Sequence, residues 1–168
     1  MNSNKNAQYW ITQLKLQSHP EGGFFKETYR SIESIWATAL PDRYADSRSF
    51  STAIYFLLRS EDKSLFHRIK SDEIWHFHAG SALTIYVLNK DGLSEQKLGP
   101  EPENGDSLQV VIPAGSWFGA IVNKPDSFTL AGCTVAPGFD FDDFELANSE
   151  KLLKEFPDHS QIIKKLTK

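Results

Sequence analysis

A cluster of imidazole and carboxylate side chains lies near the middle of the chain. Three of the five histidines, His67, His76 and His78, fall within twelve positions that also contain Glu73. Histidine and carboxylate are the side chains from which divalent-metal sites and general acid–base pairs are built. The stretch from His67 to Gly80 therefore indicates either a reaction site or the remains of one.

An extended strand divides this cluster between two faces. Because side chains alternate along a strand, Glu73, Trp75 and Phe77 share one face, whereas His76 and His78 share the other. A catalytic divalent metal normally needs three or more protein ligands that converge on one point. The two later histidines therefore cannot act together with Glu73 if this segment is a regular strand.

The elements that must position these residues are mostly strands. Segments rich in β-branched and aromatic residues predict strands at 24–29, 50–58, 73–77, 83–88, 108–112, 118–122 and 128–135. Flanking helices are predicted at about residues 6–16 and 148–167, and the acidic run 140–145 is interpreted as the charged start of the second helix. The sum is one antiparallel β-domain over residues 1–168, with its core at about 20–140, most simply a jelly roll.

Composition and charge narrow the class of protein. A formal net charge of −4 argues against nucleic acid as a partner, since that requires a basic face. The single cysteine, Cys133, allows no intrachain disulfide, which fits a reducing compartment, and its strand context predicts an inert buried thiol. No apolar signal core or membrane-length apolar run is present, so we expect a cytoplasmic protein without a membrane partner.

The central block resembles the first motif of cupins, which places His-x-His three or four residues before a glutamate and ends on a glycine. His67 stands at the first histidine position, Ile69 at the second, Glu73 at the glutamate and Gly80 at the final glycine. The second cupin motif, Pro-x-Gly-x-x-His, is also present, with Phe118 at the position of the metal-binding histidine.

The chain as a whole resembles the largely uncharacterised branch called cupin family 5, over roughly residues 8–150. The phrases at 19–31, 67–80 and 132–140 carry this resemblance. A weaker resemblance, through residues 22–27 and 133–137, is to the deoxysugar-nucleotide 3,5-epimerases, a metal-independent cupin branch whose catalytic histidine falls on His67. Both resemblances imply a cupin double-stranded β-helix, a jelly-roll barrel with short N- and C-terminal helices.

The resemblance to cupins implies that Glu73 points into the barrel, so that His76 and His78 point outwards. Jelly-roll proteins of this kind commonly pair, and we expect a homodimer in which a second subunit covers the outward histidines. Because the other two motif positions are apolar, we predict no cofactor. A divalent metal, if bound, would have only His67 and Glu73 as recognisable ligands.

The same registers predict an aromatic pocket inside the barrel, which is what a small organic ligand needs. Its walls would be Trp75, Phe77, Trp117 and Phe118, although simple core packing accounts for these residues equally well. Besides His67 and Glu73, the polar candidates around it are Tyr55, Glu27, Tyr29 and Arg30, and Arg30 or Lys26 could bind an anionic group of the substrate. Alternation lets only one parity of the strand 24–30 face inwards, and the sequence leaves that parity open.

The leading hypothesis for function is a metal-independent isomerase or epimerase that acts on a sugar- or carboxylate-like compound. His67 would be the base and Glu73 its orienting or proton-carrying partner, since burial and neighbouring charges can move both pKa values toward neutrality. Two alternatives stay open. One is a non-catalytic small-molecule-binding protein that uses the same pocket, and the other is a metal-dependent oxygenase or isomerase.

Overall fold

Residues 5–168 are described by the structure, a computed structural model in which thirteen strands alternate with short turns between terminal helices. The helices are α1 (Ala7–Leu14), α2 (Ser149–Glu155) and α3 (Ser160–Lys165). The strands are β1 (Gln17–Ser18), β2 (Phe24–Arg30), β3 (Ser34–Ile35), β4 (Arg48–Ser49), β5 (Thr52–Arg59), β6 (Ser64–Arg68), β7 (Asp72–Gly80), β8 (Leu83–Asn89), β9 (Gly92–Leu98), β10 (Gln109–Ile112), β11 (Trp117–Val122), β12 (Phe128–Ala136) and β13 (Glu145–Leu146).

Two antiparallel sheets form the body of the fold, a jelly-roll barrel. The larger sheet has the order β1-β2-β5-β12-β7-β10, and the smaller has the order β13-β6-β11-β8-β9. Their inner faces share one apolar cluster, in which Phe56 and Trp75 of the larger sheet meet Ile85 and Phe118 of the smaller. The helices lie outside this cluster, with α1 against the larger sheet and α2 and α3 against the smaller.

All seven predicted strands are present, within a few residues of the predicted bounds, and so are the flanking helices. The prediction omitted β6, which carries His67, and β9, whose alternating polar residues form the edge of the smaller sheet. The interpretation of residues 140–145 as the start of a helix is wrong. A short 3-10 turn at Phe141–Asp143 and strand β13 occupy this segment, and α2 begins only at Ser149.

A β-bulge in β2 decides which of its side chains face the barrel. Glu27 is opposite Ile54 of β5, but Tyr29 is opposite Ala53, so Thr28 is the extra residue. A bulge of this kind reverses the alternation beyond it. Glu27 and Arg30 consequently both point inwards, which corrects the expectation that only one parity of this strand could do so.

None of the helices formed by residues 5–168 has the length and apolar character that a membrane span requires.

Candidate functional site

A cavity of about 80 Å³ lies at one end of the barrel, mainly against the inner face of the larger sheet. The strands β2, β5, β12 and β7 supply most of its wall. The turn before β2, the segment after β12 and the end of β6 with Ile69 supply the rest. Its polar lining residues are His19, Glu21, Glu27, Arg30, Thr52, His67, Glu73 and Cys133. The remaining lining residues are apolar, chiefly phenylalanines and Trp75, so the few charged groups lie in surroundings of low polarity.

The side chains of His67 and Glu21 form a buried ion pair at the inner wall. The distance from His67 Nε2 to Glu21 Oε2 is 3.0 Å, and both side chains are almost fully buried. On the other side of the ring, His67 Nδ1 lies 2.8 Å from the carbonyl oxygen of Leu65. A carbonyl can only accept, so Nδ1 donates, and Nε2 must also carry a proton to bond the carboxylate. The geometry thus favours an imidazolium at His67.

The two members of the pair stabilise each other's charged forms. Burial alone would lower the pKa of His67, but the charge and hydrogen bond of Glu21, with a smaller effect of Glu73, raise it above the ordinary value. Burial alone would raise the pKa of Glu21, but His67 and the hydroxyl of Ser64, which donates to Glu21 Oε1 at 2.7 Å, lower it. Each shift favours the charged form of its group, in agreement with the ion-pair geometry.

A tight turn before β2 delivers Glu21 to the barrel. Gly22 and Gly23 both have positive φ, 112° and 71°, a conformation that glycine adopts without steric cost. A Cβ on Gly22 would collide with the backbone carbonyl of Lys63, so only glycine lets the turn approach the start of β6. The backbone of Glu21 then accepts from the amide of Leu65 at 2.9 Å, and its carboxylate reaches His67 on the same strand.

Glu73 lies on the inner face of β7, opposite Val135 of β12, and is buried. Burial is the main cause that raises its pKa to about 7, and the negative charge of Glu21 adds to this, whereas the positive charge of His67 opposes it. The thiol of Cys133 and the indole of Trp75 lie beside the carboxyl group and slightly favour its ionised form. Both protonation states of Glu73 are therefore populated near neutral pH.

His19 is a second, neutral imidazole in the same wall. Its Nδ1 accepts a hydrogen bond from the backbone amide of Glu21 at 3.3 Å, and its ring packs edge-on against Phe25. Burial lowers the pKa of His19, and although Glu21 opposes this effect, the positive charge of His67 reinforces it. The separation of 3.5 Å between His19 Nδ1 and the Glu21 carboxylate therefore joins a neutral ring to an anion, not two charges.

Arg30 and Glu27 stand at the mouth of the cavity. Arg30 donates through Nε and Nη2 to the two carboxylate oxygens of Glu27, at 3.1 and 2.7 Å, and through Nη1 to the carbonyl of Phe139 at 3.0 Å. A guanidinium has five N–H donors, so two remain for other partners. Both side chains are partly exposed. This charged pair of the cavity lining therefore meets solvent at the opening.

The outer wall of the cavity is an aromatic segment after β12, formed by Phe139, Phe141 and Phe144. These rings pack on one another, and Phe144 also stacks on the ring of His67 with centroids 5.4 Å apart. Asp143, in the same segment, accepts two hydrogen bonds of 2.7 Å from Arg48 of β4, and both side chains are buried. This buried pair attaches the segment to β4, which pairs with β3 in a separate two-stranded sheet.

The comparisons with known proteins agree with the barrel and its motifs. Residues 8–147 match the family described as Cupin superfamily (DUF985). The chain belongs to this family. It is 30% identical to an uncharacterized protein of Saccharomyces cerevisiae over 158 residues, which cover 89% of this chain and 79% of the yeast protein.

Solved structures similar to this cupin fall into two groups. A hypothetical protein from Leishmania major has a TM-score of 0.88 at 33% identity, and a protein from Shewanella oneidensis has 0.86 at 42% identity; each match covers at least 96% of both chains. Oxalate decarboxylase from Bacillus subtilis has a TM-score of 0.54 at 12% identity, over 89% of this chain and 36% of that chain. At that identity the likeness to the decarboxylase concerns the fold alone.

The residues of this cupin do not fit a bound divalent metal. Within residues 5–168 no three histidine, cysteine, aspartate or glutamate side chains are arranged to hold an ion. Both ring nitrogens of His67 face acceptors, so neither offers the lone pair that a metal requires. Ile69 and Phe118, at the other two motif positions, are buried and apolar. We therefore derive no chemistry through a metal here.

The cavity brings together five of the residues predicted for the site. It is lined by His67, Glu73, Trp75, Glu27 and Arg30. Phe118 lies directly behind, with its ring centroid 4.1 Å from that of His67, but it does not reach the cavity surface.

Four predicted pocket residues lie elsewhere. Tyr55 is on the outer face of β5, since Ile54 and Phe56 take the inward positions. The bulge turns Tyr29 to the outside, where it is 54% exposed. Trp117 points away from Phe118 into the cluster under α2 and α3, beneath the guanidinium of Arg68 at 4.3 Å. Phe77 packs against the core but does not line the cavity.

His76 and His78 do not contribute to the cavity. His76 is half-buried on the outer face of β7, where its Nε2 lies 3.1 Å from the hydroxyl of Thr134 and its Nδ1 lies 2.9 Å from the amide of Gln109. His78 is exposed and contacts the ring of Tyr55. Their separation from Glu73 follows the alternation that the sequence predicted.

Sequence reasoning missed Glu21, His19 and the aromatic segment. Glu21 is far from His67 along the chain, and only the turn at Gly22 and Gly23 brings them together. The one usable signal was a charged residue directly before paired glycines, in a phrase that the family resemblance had already singled out.

Proposed function

We propose that the cavity of this cupin carries out metal-independent proton transfer on a small molecule, as an isomerase or epimerase does. The observation that supports this proposal is the coexistence of Glu73, without a cation of its own, and the buried Glu21–His67 ion pair in one aromatic cavity. Proton transfer needs a group that can both take and release a proton near working pH. Glu73, with its pKa at about 7, meets that need.

In this proposal Glu73 takes the role of base that the sequence suggested for His67. Since His67 holds a proton on each ring nitrogen, it has no lone pair with which to accept another. Its positive charge instead stabilises negative charge that develops on the bound compound, in surroundings where water does not screen it. Glu21 and Ser64 are positioning residues, because they fix the ring and its charge without reaching the reacting atoms.

Glu73 and His67 account for the proton and the charge that the proposed step moves. The Glu73 carboxylate takes a proton from a carbon next to a carbonyl group, and the electron pair of the broken C–H bond forms the double bond of an enol form. The carbonyl oxygen gains negative charge, which the positive charge of His67 stabilises without a direct hydrogen bond, because both N–H groups of that ring are already engaged. Return of the proton from Glu73 to the same carbon re-forms the carbonyl compound, protonation of the planar enolate on its opposite face gives the epimer, and no oxidant or metal is consumed.

Deuterium exchange tests this proposal. The purified protein is incubated in D₂O with a set of small aldehydes, ketones and keto acids, and mass spectrometry measures deuterium at the carbon next to the carbonyl. We expect protein-dependent incorporation for at least one compound, its loss in Glu73→Gln, and its retention in Glu145→Gln, the same change at an exposed site outside the cavity. The proposal fails if the wild-type protein exchanges none of them, or if Glu73→Gln exchanges as fast as wild type.

A non-catalytic binding protein is the second candidate, and the small enclosed volume of the cavity favours it. In that case a compound would be retained in the cavity without exchange of its protons. Ligand-observed NMR on the same samples would detect such retention and separate the two functions.

A further inference from the structure

We propose that the cavity takes a short-chain 2-oxo acid or the corresponding 2-hydroxy acid. The 2-oxygen would lie at the indole N–H of Trp75, and the carboxylate at the guanidinium of Arg30. This inference rests on the proposed function, because it names the compound on which the same site would act.

The volume of the cavity limits the part of the ligand that enters. An apolar protein cavity of about 150 Å³ holds one benzene molecule, so the 80 Å³ found here has room for about three to four non-hydrogen atoms. Any further atoms must lie at the mouth. A short carbon chain with one oxygen fills such a space, whereas a sugar ring does not.

Trp75 supplies the inner anchor. It is 1% exposed and lines the cavity, and its indole N–H lies near the Glu73 carboxyl group but is not within hydrogen-bond geometry of any acceptor in residues 5–168. A buried donor left without a partner costs free energy, which a ligand acceptor would recover. The indole lies beside Glu73, so an oxygen bound to it places the neighbouring carbon near the carboxyl group.

Arg30 supplies the outer anchor. It lies on β2 of the same sheet, three strand positions away from β7. Arg30 of β2, Thr52 of β5, Val135 of β12 and Glu73 of β7 form one row of paired residues, all on the cavity wall. Three strand spacings separate the Cα atoms of Arg30 and Glu73 by about 14 Å, and the two side chains shorten this gap from both ends. Glu27 and the carbonyl of Phe139 hold the guanidinium in place, with two N–H donors still free.

A ligand held by both anchors would carry a carboxylate at the mouth and a carbonyl or hydroxyl oxygen inside the cavity. In 2-oxobutyrate, for example, the carboxylate would remain at Arg30, and the other four non-hydrogen atoms would fill the cavity. Guanidinium recognises carboxylate through charge-assisted hydrogen bonds, whereas a neutral ketone of the same length makes none of these. The carbon that carries the exchangeable protons would then face Glu73.

Binding of matched four-carbon probes tests the proposal. Ligand-observed NMR titrations compare 2-oxobutyrate, 2-hydroxybutyrate and butan-2-one on the wild-type protein. We expect both acids to bind at least about tenfold more tightly than the ketone, the equivalent of one charge-assisted hydrogen bond. The proposal is overturned if butan-2-one binds as tightly as the two acids, or if neither acid binds. This result needs no variant.

Two variants then test the anchors. Trp75→Phe removes the indole N–H, and Arg30→Gln removes the charge, so each should weaken 2-oxobutyrate about tenfold. Arg68→Gln, an exposed arginine outside the cavity, should leave its affinity unchanged and is the matched control. Unchanged affinity in Trp75→Phe or in Arg30→Gln, with thermal melting showing a folded protein, would contradict the assigned anchor.

Deuterium exchange in the same samples distinguishes this proposal from the proposed function. Tight binding of 2-oxobutyrate without exchange at its third carbon supports the ligand class and overturns proton transfer. Exchange of butan-2-one at the same rate as 2-oxobutyrate supports proton transfer and overturns the ligand class.

Discussion

Glu73 is a buried carboxyl group whose neighbouring cation, His67, is already engaged by Glu21. Its folded-state pKa of about 7 lies above the ordinary value of 4.5, so the folded protein holds this proton more tightly than the unfolded chain. Stability from this group is complete below pH 4.5 and is lost as the pH rises toward 7, in total roughly 3 kcal/mol. A buried group whose ionisation lowers the stability of the folded protein is more typical of a functional site than of a purely structural one.

Glu73→Gln should therefore stabilise the protein at alkaline pH, because the amide keeps the shape and cannot ionise. Urea unfolding at pH 5 and at pH 8.5 would measure the difference in free energy of unfolding between variant and wild type. We expect the variant to gain roughly 2–3 kcal/mol relative to wild type between these two pH values. An identical difference at both pH values would show that Glu73 does not titrate in this window.

Loss of either member of the Glu21–His67 pair should destabilise the protein, whereas Glu73→Gln should stabilise it at alkaline pH. Glu21→Gln leaves a buried imidazolium without its counter-ion and should cost about 3 kcal/mol of stability. His67→Gln leaves the carboxylate unpaired and should cost a similar amount.

A double-mutant cycle measures the coupling. The double variant Glu21→Gln/His67→Gln should lose clearly less than the sum of the single changes, since neither unpaired charge remains. Strict additivity of the free energies would show that the two side chains do not interact.

The aromatic segment after β12 depends on the pair Arg48–Asp143. Asp143→Asn removes the charge that both Arg48 and Lys70 face, and an unpaired buried arginine should destabilise the fold by about 3 kcal/mol. Lys70→Met is the matched comparison, since Lys70 is one-third exposed and its contribution should stay below about 1 kcal/mol.

Chemical denaturation measures both changes in the free energy of unfolding. A loss in Lys70→Met as large as that in Asp143→Asn would contradict the division of roles within this cluster.

The strands of the larger sheet show how far the sequence could predict the site. Period-two alternation correctly separated Glu73 and Trp75 from His76, because β7 is regular over those residues. The same rule failed in β2, where the bulge at Thr28 inverts the direction of the later side chains. Such a bulge depends on the pairing with β5 as much as on the local sequence, so the sequence alone did not reveal it. Tyr29 was misplaced for that reason.

The parts of the site that escaped prediction are those assembled by contacts between distant segments. Glu21 reaches His67 only because a glycine turn packs on the start of β6, and the aromatic segment is held in place where Arg48 of β4 binds Asp143. The local composition of 140–145 resembles a helix start, and this tertiary contact overrides it. Trp117 was misplaced because its neighbour Phe118 takes the inward position.

The outer face of the larger sheet remains the predicted homodimer surface. It carries His76, His78 and exposed apolar side chains, among them Tyr29 and the 49% exposed Val111. Analytical ultracentrifugation should show a dimer that Val111→Asp weakens, because a carboxylate would be buried at the contact. Ser94→Asp, on the edge strand β9 of the other sheet, is the control. A monomeric wild-type protein, or equal effects of both changes, would argue against this surface.

The barrel encloses ionisable groups in an aromatic cavity, and the proposed chemistry depends on how protons are distributed among them. The most direct test is a ¹³C NMR titration of the Glu73 carboxyl carbon, assigned by comparison with Glu73→Gln. We expect a titration midpoint of about pH 7, set by burial and by the nearby charges of His67 and Glu21. A midpoint near the ordinary value of 4.5 would contradict the proposal that Glu73 exchanges protons with a bound compound at neutral pH.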